Sequence, residues 1–184
     1  MKRKTAKELL ADSFRELAGS RNIDKITIQD IVGNCGYSPA TFYRNFKDKY
    51  DLIAWDYARG TALIMDRIDD KNYFWPQTLI DGAYRFLEEK EYLQNLLLHT
   101  TGHDSFVRYM TEINCTALRN HLLHITGKEK LDHNTELYIR VYCHGTVNLT
   151  CEWILGKQAA EPEVIAEIYR NSLPQPLLQV LSES

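Results

Sequence analysis

Thr41, Tyr43, Arg44 and Asn45 stand within five residues of one another, and Lys47 and Lys49 follow close behind. Hydroxyl, guanidinium and amide groups at this spacing can point outward from one short helix. Arginine and asparagine make bidentate contacts to guanine and adenine edges in a major groove, and lysines beside them meet phosphate. Pro39 and Ala40, just ahead, are small enough for the first turn to approach base edges closely. The remaining reactive groups point to no comparable chemistry. His121 and His124, three apart, could share a metal, but no third ligand stands near them, and a histidine pair without one is commonly structural. Cys143 beside His144 resembles a nucleophile and base only in spelling, because neighbours on a helix point about 100° apart. No glycine-rich phosphate loop, serine elbow or H-E-x-x-H occurs. The expectation is recognition rather than catalysis, with no metal and no cofactor.

Two short helices must position these groups. Ile28, Ile31, Val32 and Cys35 follow the i, i+3, i+4, i+7 spacing of one helical face. Thr27 is a good N-cap for that helix, Asp30 can return a bond to the cap's amide, and Gly36 can end it in the left-handed conformation. Ser38 as cap and Pro39 at the first helical position open the next helix. There Phe42 and Phe46 turn inward and leave the polar groups outside. The pattern is a helix-turn-helix. Gly33 weakens its first helix, where a stronger helix former would be usual. From Lys4 to Gly19 a further amphipathic helix carries Leu9, Leu10, Phe14 and Leu17, and Ile23 and Ile26 close the small core. Lys2, Arg3 and Lys4 could reach phosphate as an arm or could equally be a solvated terminus.

The residues Thr27, Asp30, Ile31, Gly36, Ser38, Thr41, Phe42, Tyr43, Phe46 and Lys49 resemble the signature of the TetR family of bacterial transcription regulators. The resemblance implies an all-α homodimer, with an N-terminal three-helix head that binds operator DNA and a C-terminal helical bundle that senses a ligand and dimerises. It also implies that Thr41, Tyr43 and Lys49 touch the DNA backbone, while Pro39, Ala40, Arg44 and Asn45 vary with the operator. The expected DNA-binding set is therefore Thr27, Ser38, Pro39, Ala40, Thr41, Tyr43, Arg44, Asn45, Lys47 and Lys49. Its boundary is expected at residues 1–48 for the head and 49–184 for the body.

The rest of the chain fits such a body. Charge divides along it, with ten Lys or Arg against six Asp or Glu in residues 1–50 and twelve against nineteen beyond. A basic head on an acidic body suits a nucleic-acid partner, although small excesses of this size also arise by chance. One long helix is expected from Asp48 to about Asp70, with Gly60 marking either a bend or a close approach of a neighbour. After Pro76 every period is helical, over Thr78–Glu91, Tyr92–His99, Ser105–Ile125, Asn134–Leu155 and Glu161–Leu173. The last two could pair across a two-fold axis or bury in their own subunit. A pocket for an unidentified small-molecule effector is expected between Phe86 and Trp153, with Phe86, Tyr109, His121, Tyr138 and Tyr142 as candidates. The stretch from Tyr73 to Leu97 and the terminal SLPQPL are similar to a subgroup of the family that includes the dihydroxyacetone kinase operon regulator.

With no apolar run near the roughly 20 residues of a membrane span and no signal-peptide core at the start, a cytoplasmic location is expected. Cys35, Cys115, Cys143 and Cys151 then read as packed thiols. The expected function is a dimeric repressor released from its operator by a small molecule. The alternatives are an activator or co-regulator of the same fold working with a protein partner, and a helix-turn-helix kept as a protein-interaction module.

Overall fold

The computed structural model describes residues 4–67, 75–100 and 105–182. Among them every regular element is helical. The N-terminal unit consists of α1 (Ala6–Ala18), a 3-10 turn (Ile23–Lys25), α2 (Ile28–Cys35) and α3 (Pro39–Asn45). The body follows as α4 (Lys49–Met65), α5 (Trp75–Glu88), α6 (Lys90–His99), α7 (Phe106–Thr126), α8 (His133–Ile154), α9 (Pro162–Asn171) and α10 (Gln175–Ser182).

The local signals act where the sequence puts them. Thr27 and Asp30 exchange bonds at the start of α2, with the Thr27 hydroxyl accepting from the Asp30 amide and the Asp30 carboxylate accepting from the Thr27 amide. Gly36 takes φ 73°, and the Tyr37 amide closes the turn on the Val32 carbonyl at 2.9 Å. Thr5 and Glu8 form the same reciprocal cap on α1.

Two expectations are corrected. α4 ends at Met65 rather than near Asp70, so it is about 25 Å long instead of about 33 Å, and residues 68–70 lie outside the described part. A further helix, α10, follows Pro174, beyond the last helix expected at Glu161–Leu173. Proline costs a helix little in its first turn, and here both prolines stand at the start. Leu177 and Leu181 of α10 are buried against α7 and α8, worth about 1.5–3 kcal/mol each.

Head and body share one core. The largest buried cluster runs from Leu10, Phe14, Ile31 and Phe42 through Leu52, Ile53 and Tyr57 to Leu93, Leu96, Phe106 and Ile154. Asn95 of α6 clasps the loop after α1, donating to the Ala18 and Arg21 carbonyls at 2.8 Å and accepting from the Ile23 amide at 3.2 Å. Below this, a buried ion cluster joins three elements. Arg15 of α1 reaches Asp56 of α4 at 2.5 Å and Glu89, between α5 and α6, at 3.0 Å. Arg59 holds the other Asp56 oxygen at 2.8 Å. Burial opposes the Arg15 charge, but Asp56, Tyr92 and Glu89 outweigh it and raise its pKa. Among the described residues no helix is long and apolar enough to cross a membrane.

Candidate nucleic-acid interface and body cavity

The outer face of the head is built on α3, whose orientation two aromatic anchors fix. Phe42 and Phe46 are buried, their rings 5.7 Å apart, and Phe46 meets Trp55 of α4 at 5.6 Å. Lys7 of α1 lies over both the Phe46 and Trp55 rings, so α1, α3 and α4 are clamped together. The Ser38 hydroxyl caps the helix by accepting from the Thr41 amide at 3.2 Å. With the anchors inside, Ser38, Pro39, Ala40, Tyr43, Arg44 and Lys47 are exposed, and Thr41 and Asn45 are half-buried. Tyr43 keeps 59% of its surface and packs edge-on against Phe42.

The polar side chains of this face lie along their own helix. Arg44 donates to the Ala40 carbonyl at 3.3 Å and to the Thr41 hydroxyl at 3.0 Å. The Asn45 amide donates to the Thr41 carbonyl at 2.8 Å. Thr27 is exposed at the start of α2, its hydroxyl donating to Asp30 at 2.6 Å. That bond, with Arg21 and the Thr27 amide, holds the Asp30 carboxyl well below the ordinary carboxylate range. Lys49 has a structural role that its sequence position does not reveal. Its ammonium donates to the carbonyls of Ile23, Asp24 and Ile26 at 2.9, 3.3 and 3.0 Å, tying the 3-10 turn to the start of α4. Burial there lowers its pKa against the pull of Asp24.

The body holds a half-open cavity of about 130 Å³ bounded by α4, α5, α7, α8 and α9. Of the five expected pocket residues, Phe86 and Tyr142 line it. His121 instead faces a separate, more open cleft of about 470 Å³ between α4 and α7. Tyr109 lines neither, and Tyr138 is 41% exposed on the outer side of α8. Tyr57, Arg85 and Tyr169 complete the cavity wall and were not singled out by sequence. Burial pushes the Tyr57 hydroxyl up to about 12, and it donates to Asn114 at 3.1 Å. Tyr142 donates to the Tyr169 carbonyl at 3.0 Å, and burial raises both phenols.

A three-helix head with an exposed second motif helix, joined to an all-helical body, has the architecture of a helix-turn-helix regulator. Residues 10–54 match the family model of bacterial regulatory proteins of the tetR family, and residues 75–175 match that of a transcriptional regulator C-terminal region. The chain belongs to the tetR family. It is 24% identical over 84 residues to the HTH-type dhaKLM operon transcriptional activator DhaS of Lactococcus lactis subsp. lactis (strain IL1403). That match spans 46% of this chain and 44% of the relative. Among solved structures, the dihydroxyacetone kinase operon activator DhaS superposes with a TM-score of 0.63 at 17% identity, covering 97% of both chains. The TetR family repressor AlkX from Dietzia sp. strain DQ12-45-1b superposes with a TM-score of 0.57 at 19% identity, covering 98% and 99%. At these identities the likeness to solved structures is one of fold.

Proposed function

We propose that this chain is a dimeric transcription regulator that binds operator DNA through α3 and is released from it by a small molecule held in the body cavity. The observation that carries the reading is the division of α3 into a buried aromatic side and an exposed side of Pro39, Ala40, Tyr43 and Arg44. In this reading Arg44 and Asn45 leave their own helix to meet bases, while Ser38, Thr41, Tyr43, Lys47 and Lys49 meet the backbone, with Thr27 at its edge. Such a protein works in the cytoplasm, with residues 1–48 as its DNA-binding unit and 49–184 as its sensing and dimerising unit.

Dimerisation through α8 and α9 is supported by the apolar groups they leave in solvent. Leu137, Tyr138 and Val141 are 47%, 41% and 71% exposed along one side of α8, and Val164 and Ile168 are 46% and 41% exposed on α9. A two-fold pairing of these helices buries both sets. Two heads then enter successive major grooves only when their α3 helices stand about 34 to 36 Å apart. An effector that favours a different spacing lowers DNA affinity by its differential affinity for the two arrangements.

An activator reading is favoured by one fact, the likeness to DhaS, which is named as an operon activator. Gel shifts with the promoter of its own gene, at two stated salt concentrations, test DNA binding and separate it from a protein-interaction module. In vitro transcription from that promoter separates the two regulators, since a repressor lowers transcript yield and an activator raises it.

A further inference from the structure

Arg85 is the only charged residue among the described residues that line the cavity. Its side chain is 15% exposed, and its ion contact to Glu89 Oε2 is 3.4 Å long. That contact is not a hydrogen bond, since Glu89 Oε2 is buried without one. The guanidinium also sits over the Tyr57 ring, 5.6 Å from its centre. Its seat on α4 is Gly60, where even a Cβ would come within 2.0 Å of the guanidinium. A guanidinium has five N–H donors, and leaving them unmatched in an apolar chamber is costly. The lining holds no carboxylate; Ile64, Met65, Leu79, Phe86 and Leu118 give it apolar walls, and Thr61, Thr78, Asn114 and Thr150 add neutral polar groups.

We propose that the cavity takes a small organic carboxylate, with Arg85 as the partner of its charge and the aliphatic and aromatic walls as the seat of its body. This rests on the reading of the cavity as the effector site. A carboxylate matches the planar guanidinium with two parallel bonds and neutralises its charge, whereas a cation would meet like charge and a neutral acceptor would bond to it more weakly without compensating that charge. The volume of about 130 Å³ restricts the body. Cavities of roughly 150 Å³ hold benzene, so a single ring or a short chain fits and a nucleotide does not. Glu89 is the internal competitor of such a ligand, because it draws on the same guanidinium.

The test is calorimetric titration of the full chain with benzoate and with benzamide, the same body without the charge. Benzoate binds wild type at least about tenfold more tightly than benzamide, the worth of a charge-assisted pair. Arg85→Met removes that preference, and Glu89→Gln tightens benzoate severalfold by releasing Arg85. Ala117→Phe, which fills the chamber, abolishes binding of either probe. Equal affinity for the two probes, or a benzoate preference that survives in Arg85→Met, overturns the proposal. If benzamide binds as well as benzoate and Ala117→Phe blocks it, the carboxylate assignment fails while the cavity reading stands. If neither probe binds wild type, or if benzoate binds Ala117→Phe unchanged, the cavity reading falls with it. The wild-type comparison decides the matter even where Arg85→Met does not fold.

Discussion

Arg44 holds its guanidinium against the Ala40 carbonyl and the Thr41 hydroxyl, two neutral acceptors on an exposed face. Both acceptors are neutral and the side chain stands in solvent, where water can replace either bond, so DNA with its charged backbone and guanine edges can draw the side chain out. Arg44→Ala is therefore expected to relax base preference at one operator position by about 1–3 kcal/mol, read by competition with single-base variants. Lys47→Ala should weaken all sequences alike and lower the salt slope by about 1. Lys49→Met should do so too, and should also cost stability on the order of 1.5 kcal/mol by chemical denaturation, because three loop carbonyls lose a half-buried donor. Asp30 gives a pH dependence with a fixed sign. Its folded pKa is depressed below the ordinary 3.8, so its contribution is complete above that value and fades as pH falls through and below it. The stability gap between wild type and Asp30→Asn should accordingly shrink in acid. The caps Thr27, Asp30, Gly36, Ser38 and Pro39 were legible in the sequence because each acts within four residues. The Lys49 bonds were not, since they span more than twenty residues and depend on how the 3-10 turn folds back.

Helices were legible wherever period and cap agreed, and misread where one was missing. Pro174 and Pro176 hid α10, because a proline pair marks a break and a helix start equally well until the burial of Leu177 and Leu181 is known. α4 was drawn too long because its apolar period continues past the turn at Asp66. Its two readings of Gly60 resolve to close approach, with the Arg85 guanidinium occupying the place of a side chain. Gly33 differs, since a Cβ there meets nothing within 4 Å. Gly33→Ala should thus gain about 0.5–1 kcal/mol of stability. Gly60→Ala gains the same propensity but displaces a buried cation, and a net loss of about 1 kcal/mol is expected. Urea denaturation of the two variants side by side checks the opposite signs.

At the scale of the molecule, the head is bound to the body through charge as well as packing. Asp56 is 1% exposed and holds both Arg15 and Arg59, so Asp56→Ala leaves Arg15 with Glu89 alone and Arg59 with only its longer contact to Asp12. Its expected cost of about 3 kcal/mol should appear in a single unfolding transition, because head and body share one core. Glu89 connects this cluster to the cavity, with one oxygen on Arg15 of α1 and the other toward Arg85. None of this was legible beyond the anomaly of Asp56 on an apolar face, because the cluster is assembled from α1, α4 and the α5–α6 junction. Tyr109 and Tyr138 fell outside the cavity for the same reason, since period gives a face but not what covers it. The most direct measurement is selection of binding sites from random duplex DNA with wild type and Arg44→Ala. Wild type is expected to select an inverted repeat, with half-site centres one helical turn of about 10 bp or a multiple of it apart. Arg44→Ala should flatten one symmetry-related position in each half. A lone unrepeated site, or an Arg44→Ala profile identical to wild type, would contradict it.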